Sequence, residues 1–284
     1  MERGYEVHAV GYRRVPDAGT EGIVWHTADL LDPRERAQIV DAVEPRYLLQ
    51  AAWYLEPGKT LTSPVNLDWV IASLDLVRRF QQRGGRRVVT LGTCFEYAFG
   101  PAELSETSPL LPASVYGASK VALHTAQAAL AKATGTSSAW ARLFYLYGPN
   151  EDARRLVGDI VSSLLAGREV ATAEGLHRRD YMYVADAGRA IAALLDSTVE
   201  GPVNIATGRA LVVRDLVDLV ARTIGREELV RYGSRPLPPG EPDEIRANVQ
   251  RLRDEVRWAD LTPHDEAVGL TVNWWRSRTE PAQV

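Results

Sequence analysis

In the stretch Arg87-Val88-Val89-Thr90-Leu91-Gly92-Thr93, Arg87–Leu91 reads as a buried strand that ends at a glycine and a hydroxyl. A short apolar run closed by a turn residue suits a strand covered on both faces. Upstream, Val65–Gln82 places Leu67, Val70, Ile71, Leu74, Leu76 and Val77 at helical spacing, after the short apolar strand Tyr47–Ala52. Pro33–Val43 is a further helix with proline in its first turn, and Tyr5–Val10 and Ile23–Thr27 are strands before it. Downstream come a long Ala-rich helix, Val115–Thr134, and the strand Ser138–Leu143. Strands alternating with helices predict an α/β fold with a doubly wound, mostly parallel sheet. In such sheets the ligand lies beyond the carboxyl ends of the strands, so chemistry is expected at Thr93.

After about Gly148 the elements shorten and are interrupted by Pro and Gly, and Gly233–Pro242 reads as a structureless connector. Residues 1–150 are expected to form the first domain, and 151–284 a smaller α/β substrate lobe with some exchange of chain between the two. The 284 residues are 45% hydrophobic and 25% charged, with a formal net charge of −4, as in an ordinary soluble globular protein. Nothing basic is clustered enough to suggest nucleic acid. A run of about 18 apolar residues that could span a membrane is lacking, as is a signal-peptide pattern. The single cysteine, Cys94, fits a reducing cytosol, and a cytoplasmic protein is expected. His8 and His26 have no second ligand at metal spacing, so no metal is assigned.

The most specific signal is Ser114-Val-Tyr-Gly-Ala-Ser-Lys120. Tyr116 and Lys120 are four apart on a helix and share a face. A phenol with a pKa near ~10 is a poor acid at neutral pH. A neighbouring ammonium stabilises the phenolate, which would make Tyr116 usable for proton transfer. Pairs at this spacing also occur by chance on many helices. The context is Thr93, whose hydroxyl could hold a substrate oxygen beside the phenol.

Thr93, Tyr116 and Lys120 resemble the catalytic trio of the extended short-chain dehydrogenase/reductases, the nucleotide-sugar epimerase/dehydratase group. The resemblance covers nearly the whole chain, through Ala28–Asp32 (ADLLD), Leu48–Tyr54 (LLQAAWY), Ser63–Val70 (SPVNLDWV), Arg142–Pro149 (RLFYLYGP), Arg178–Asp186 (RRDYMYVAD) and Pro202–Gly208 (PVNIATG). It implies a Rossmann-like fold, a nucleotide-sugar substrate and a homodimer through Val65–Gln82 and Val115–Thr134. Two departures are informative. The family's 4,6-dehydratases carry Asp-Glu directly after the catalytic Thr, where this chain has Cys94 and Phe95. Gly92–Gly100 (GTCFEYAFG) resembles instead the reductases of 4-keto-6-deoxy nucleotide sugars. A 4-ketoreductase is therefore expected, with a nucleotide-sugar 4-epimerase and a non-catalytic binding protein as alternatives.

The second departure concerns the cofactor. No glycine-rich turn of the dinucleotide-binding type stands between a strand and a helix. The family places it on a first strand ahead of Tyr5–Val10. That strand is expected to be absent from this chain, either because Met1 is internal to a longer protein or because a shortened form exists, leaving two sheet edges that face a gap or re-pair. Where an acid would select NAD, this chain has Arg13 and Arg14, suited to the 2′-phosphate of NADPH, with NAD as the alternative. They could equally be solvated loop residues.

By resemblance, Asp29 and Leu30 meet adenine, although Asp29 could simply cap the following turn. Ala51 and Ala52 line the cofactor, and Asn66 is either a cofactor ligand or a residue of its helix N-terminus. Tyr145 is a candidate sugar contact, and Arg179 either binds the diphosphate or forms a structural ion pair. Cys94 reads as inert packing, and Trp274-Trp275 as packing of the last helix.

Overall fold

The computed structural model describes residues 3–12, 21–100, 103–237 and 240–279. Arg13 and Arg14 lie outside them. In chain order the elements of the first half are β1 (Val7–Gly11), β2 (Ile23–Thr27), α1 (Pro33–Val43), β3 (Tyr47–Gln50), α2 (Val65–Gln82), β4 (Arg87–Thr93), β5 (Glu103–Leu104), α3 (Val115–Thr134) and β6 (Ser137–Leu143). The second half continues with β7 (Tyr145–Tyr147), α4 (Leu156–Leu165), β8 (Val170–Ala171), β9 (Arg178–Arg179), β10 (Tyr181–Tyr183), α5 (Val184–Asp196), β11 (Gly201–Ile205), β12 (Leu211–Val212), α6 (Val213–Ile224), β13 (Val230–Arg231), β14 (Glu244–Ala247), α7 (Gln250–Asp254) and α8 (His264–Thr279).

The central sheet runs β11-β6-β4-β3, with all neighbours parallel. Alternation along β4 explains why it is covered on both faces. Val88 packs with Val77 and Phe80 of α2 and with Leu130 of α3, whereas Val89 packs with Ala187, Ala190 and Leu194 of α5. β11 comes from the second half of the chain and completes this sheet beside β6. A second apolar cluster lies in the second half of the chain, where α4, α6 and α8 bury Val161, Leu164, Val217, Val220, Val268 and Val272.

β1 and β2 form a separate parallel pair, with Val7 opposite Ile23 and Gly11 opposite Thr27. Among the described residues β1 has no hydrogen-bonded partner on its other side, nor has β3, so the two edges do not re-pair. Contact between the units comes from side chains: the Tyr5 ring stands edge-on to Tyr47 at 5.3 Å, and its hydroxyl donates to Asp196 at 2.7 Å. Among the described residues no helix is long and apolar enough to cross a membrane.

Candidate active site

β4 delivers Thr93 at its carboxyl end, opposite Leu143 of β6. The chain then turns at once through Cys94–Glu96, because the Thr93 side chain accepts the Phe95 N–H at 3.3 Å and Glu96 accepts the Thr93 N–H at 2.8 Å. This turn lies against α3 at Gly117, where an added Cβ would stand 2.2 Å from the Phe95 carbonyl oxygen. The glycine of Ser114–Lys120 is thus a contact point that brings the amino end of α3 onto the end of β4. Ser114 caps that helix by accepting the Gly117 N–H at 3.1 Å.

Tyr116 and Lys120 follow on the same face, and the structure brings both to Thr93. Burial raises the Tyr116 phenol to about 12, an effect that a hydrogen bond with the Thr93 side chain partly offsets. Lys120 is 2% exposed; burial lowers it to about 7, opposed by the charge of Glu96. The expectation that the ammonium would lower the phenol is therefore corrected. Desolvation acts on both groups and disfavours both charged forms, which outweighs the helical neighbourhood. A neutral Tyr116 beside a Lys120 that titrates near neutrality is a proton donor next to a group that can take up positive charge.

Trp53 is the neighbour that sequence reading missed, although it lies inside the quoted Leu48–Tyr54 motif. The Lys120 ammonium sits 3.6 Å from its ring centroid, and its ring is edge-on to Tyr116 at 6.4 Å. Its indole N–H donates to Asn66 Oδ1 at 2.7 Å, and the Asn66 amide donates to the Thr60 and Ser63 carbonyls at 2.7 and 2.8 Å. Asn66 is fully buried, and its amide holds Trp53 and the 60–63 turn. Lys120 itself donates to the Leu91 carbonyl at 2.7 Å. An ammonium has three donors. The rest of its capacity suits the ribose hydroxyls of the dinucleotide that the resemblance implies.

The other candidates fall on either side of this centre. Tyr145 reaches it through Phe95, whose ring is 6.3 Å from both Tyr116 and Tyr145. Burial pushes the Tyr145 phenol well above its ordinary value. Arg179 is inward-facing and paired with Glu241, and it donates to the Arg178 carbonyl at 2.7 Å, which is the ion-pair alternative. Asp29 Oδ1 accepts the Leu31 N–H at 2.9 Å, so Asp29 caps its own turn, and Leu30 adjoins it. Ala51 and Ala52 follow β3 directly, on the carboxyl side of the sheet where Thr93 also stands. Cys94 is buried, and desolvation drives its thiol far above the ordinary range. His8 and His26, distant in sequence, meet at 2.8 Å across the parallel register of β1 and β2. No cluster of three metal-ligating side chains occurs among the described residues.

Glu151 lies in the loop between β7 and α4. Burial raises its carboxyl to about 7, with the Arg155 charge acting the other way. No sequence signal marked it, since it follows Gly148-Pro149-Asn150 in a loop whose burial depends on the second apolar cluster.

A model of the NAD dependent epimerase/dehydratase family matches residues 1–206. A UDP-glucose 4-epimerase from Azospirillum brasilense is 26% identical over 88% of this chain and 77% of its own length. A dTDP-6-deoxy-L-talose 4-dehydrogenase (NAD(P)(+)) from Kitasatospora kifunensis is 29% identical over 64% of this chain and 60% of its own length. Among solved structures, a UDP-glucose 4-epimerase from Thermotoga maritima superposes with a TM-score of 0.87 at 22% identity, covering 98% of this chain and 93% of that one.

Proposed function

The chain belongs to the NAD dependent epimerase/dehydratase family, and from that premise we propose that it reduces the 4-keto group of a nucleotide-linked 4-keto-6-deoxy sugar. NADPH is the cofactor in this reading, with NAD as the alternative, and when bound it supplies the hydride. Thr93 binds the keto oxygen through its hydroxyl. Tyr116 gives that oxygen its phenolic proton, and the high pKa that burial imposes keeps the proton in place until a more basic alkoxide forms. Lys120 holds the ribose and places positive charge beside the phenol as the proton leaves. Asp29, Leu30, Ala51 and Ala52 line the cofactor's path, and Tyr145 borders the sugar.

The observation that carries the reductase reading is the pair of positions after Thr93. Cys94 is buried with its thiol held neutral, and Phe95 cannot titrate, so the acid and base of a dehydration are absent there. The likeness to a talose 4-dehydrogenase supports the same reading. The second reading is a 4-epimerase with retained NAD, favoured by the likeness to UDP-glucose 4-epimerases. Supplying NADPH and a nucleotide-linked 4-keto-6-deoxy sugar should give loss of NADPH absorbance. Tyr116→Phe should lower kcat by at least ~10²-fold, the usual contribution of a positioned general acid. Turnover that survives this substitution would overturn the mechanism, and sugar interconversion without added reductant would favour the epimerase.

Two further readings belong here. Residues 1–150 serve as the cofactor half and 151–284 as the substrate half. The protein is a homodimer through α2 and α3, because α2 leaves Leu67 and Ile71 56% and 68% exposed on its outer face.

A further inference from the structure

Glu96 is fully buried, and both of its carboxylate oxygens are engaged. Oε1 accepts the Thr93 N–H at 2.8 Å and the Trp140 indole N–H at 2.9 Å, and Oε2 accepts Arg142 Nε at 2.8 Å. The carboxylate lies so close to β4 that a Cβ on Gly92 would stand 2.5 Å from Oε1 and 2.1 Å from Trp140 Nε1. On the same strand end Lys120 donates to the Leu91 carbonyl at 2.7 Å. Two opposite charges therefore grip the last three residues of β4. Stability alone gives no reason for a carboxylate here, since an apolar pair of similar volume commonly replaces a buried ion pair at no cost. An amide oxygen would also accept the Thr93 and Trp140 N–H groups.

We propose that Glu96 is a positioning residue for the trio Thr93, Tyr116 and Lys120: it fixes the backbone turn that aims the Thr93 hydroxyl, and its charge supports the Lys120 ammonium. The proposal rests on the assignment of that trio made above. Around the Lys120 amine stand the Leu91 carbonyl from β4 and the Trp53 ring from the loop after β3, with Tyr116 one turn back on α3; the Glu96 carboxylate is held on the Thr93 N–H, two residues beyond Leu91 on the same strand. Of these, Glu96 brings the charge that opposes desolvation. Arg142 neutralises one side of the carboxylate and also donates to the Tyr97 hydroxyl at 3.0 Å, which in turn donates to Asn204 Oδ1 of β11 at 2.6 Å. The network thus ties the catalytic turn to the far strand of the central sheet.

The chain has only three lysines, Lys59, Lys120 and Lys132, so each gives its own signal in protein carrying 13C at the lysine ε-carbon. The Lys120→Met variant assigns the Lys120 signal, and its pH midpoint is then compared between the wild-type protein and Glu96→Gln. The midpoint is expected to move toward acid by about one pH unit, ~10-fold more free amine at a fixed pH. An unchanged midpoint, or one moved toward base, overturns the proposal and leaves Glu96 a purely structural acid. Glu96→Gln strands the buried Arg142 charge. If it fails to fold, Glu96→Gln/Arg142→Met is compared with Arg142→Met, and the difference between their Lys120 midpoints is read by the same criterion. The measurement needs neither sugar nor cofactor, so its failure is distinct from survival of turnover in Tyr116→Phe.

Discussion

Lys120 carries a consequence for stability that its place in the site makes measurable. Folded, it releases its proton at about pH 7, whereas the exposed lysine of the unfolded chain keeps it to about 10.5. Between those values the unfolded state binds more protons, so stability rises with pH across this window. Tyr116 works the other way: held to about 12 against an ordinary 10.0, it makes stability fall above pH 10, where the unfolded chain ionises first. Urea midpoints between pH 7 and 10 should therefore climb more steeply for the wild-type protein than for Lys120→Met. Equal slopes would mean that the amine is not desolvated in solution. At this scale the placement of Thr93 at the end of β4, and of Tyr116 and Lys120 on one face of α3, was legible in the sequence. Glu96, Trp140 and Arg142 were not, since their contacts join residues 44 to 46 positions apart and depend on the pairing of β4 with β6.

α3 shows how an element sets the geometry of the residues it carries. Its amino end is fixed by the Ser114 cap and by the Tyr116 N–H, which donates to the Leu61 carbonyl at 3.2 Å, and its carboxyl end stops at Gly135 in the left-handed region. Ser114→Ala should cost about 1 kcal/mol, as N-cap losses do. Denaturant unfolding measures that cost, and activity should fall with it because Tyr116 is only two residues from the cap. Such local signals explain why α1 and α3 were legible to the residue: Asp32 caps α1 ahead of Pro33, much as Ser114 caps α3. Strand ends were read less well. Tyr5–Val10 became Val7–Gly11, Tyr47–Ala52 became Tyr47–Gln50, and Arg87–Leu91 ran on to Thr93. A strand ends where its neighbour's hydrogen bonds end, and the neighbour lies far away in sequence. Thr93 belongs to β4 because β6 continues beside it to Leu143.

For the whole molecule, the alternation of strands and helices was enough to predict the parallel sheet with helices on both faces, while the partition of strands among the five sheets of the described residues was not. The proposed dimer is tested at Ile71. A charge there should leave the site intact and give monomers, so Ile71→Glu should halve the mass seen by light scattering. An unchanged mass would place the subunit contact elsewhere or exclude one. The separation of β1 and β2 from the central sheet has a further consequence. A two-stranded parallel ladder has little cooperative support of its own. Its amides should open in small local excursions, well below the free energy of global unfolding. Hydrogen–deuterium exchange should thus find two tiers of protection, with Val7–Gly11 and Ile23–Thr27 exchanging early and the amides shared by β4 and β6 last. The molecule would then open first at the β1–β2 pair, with β4 among the last parts to let go.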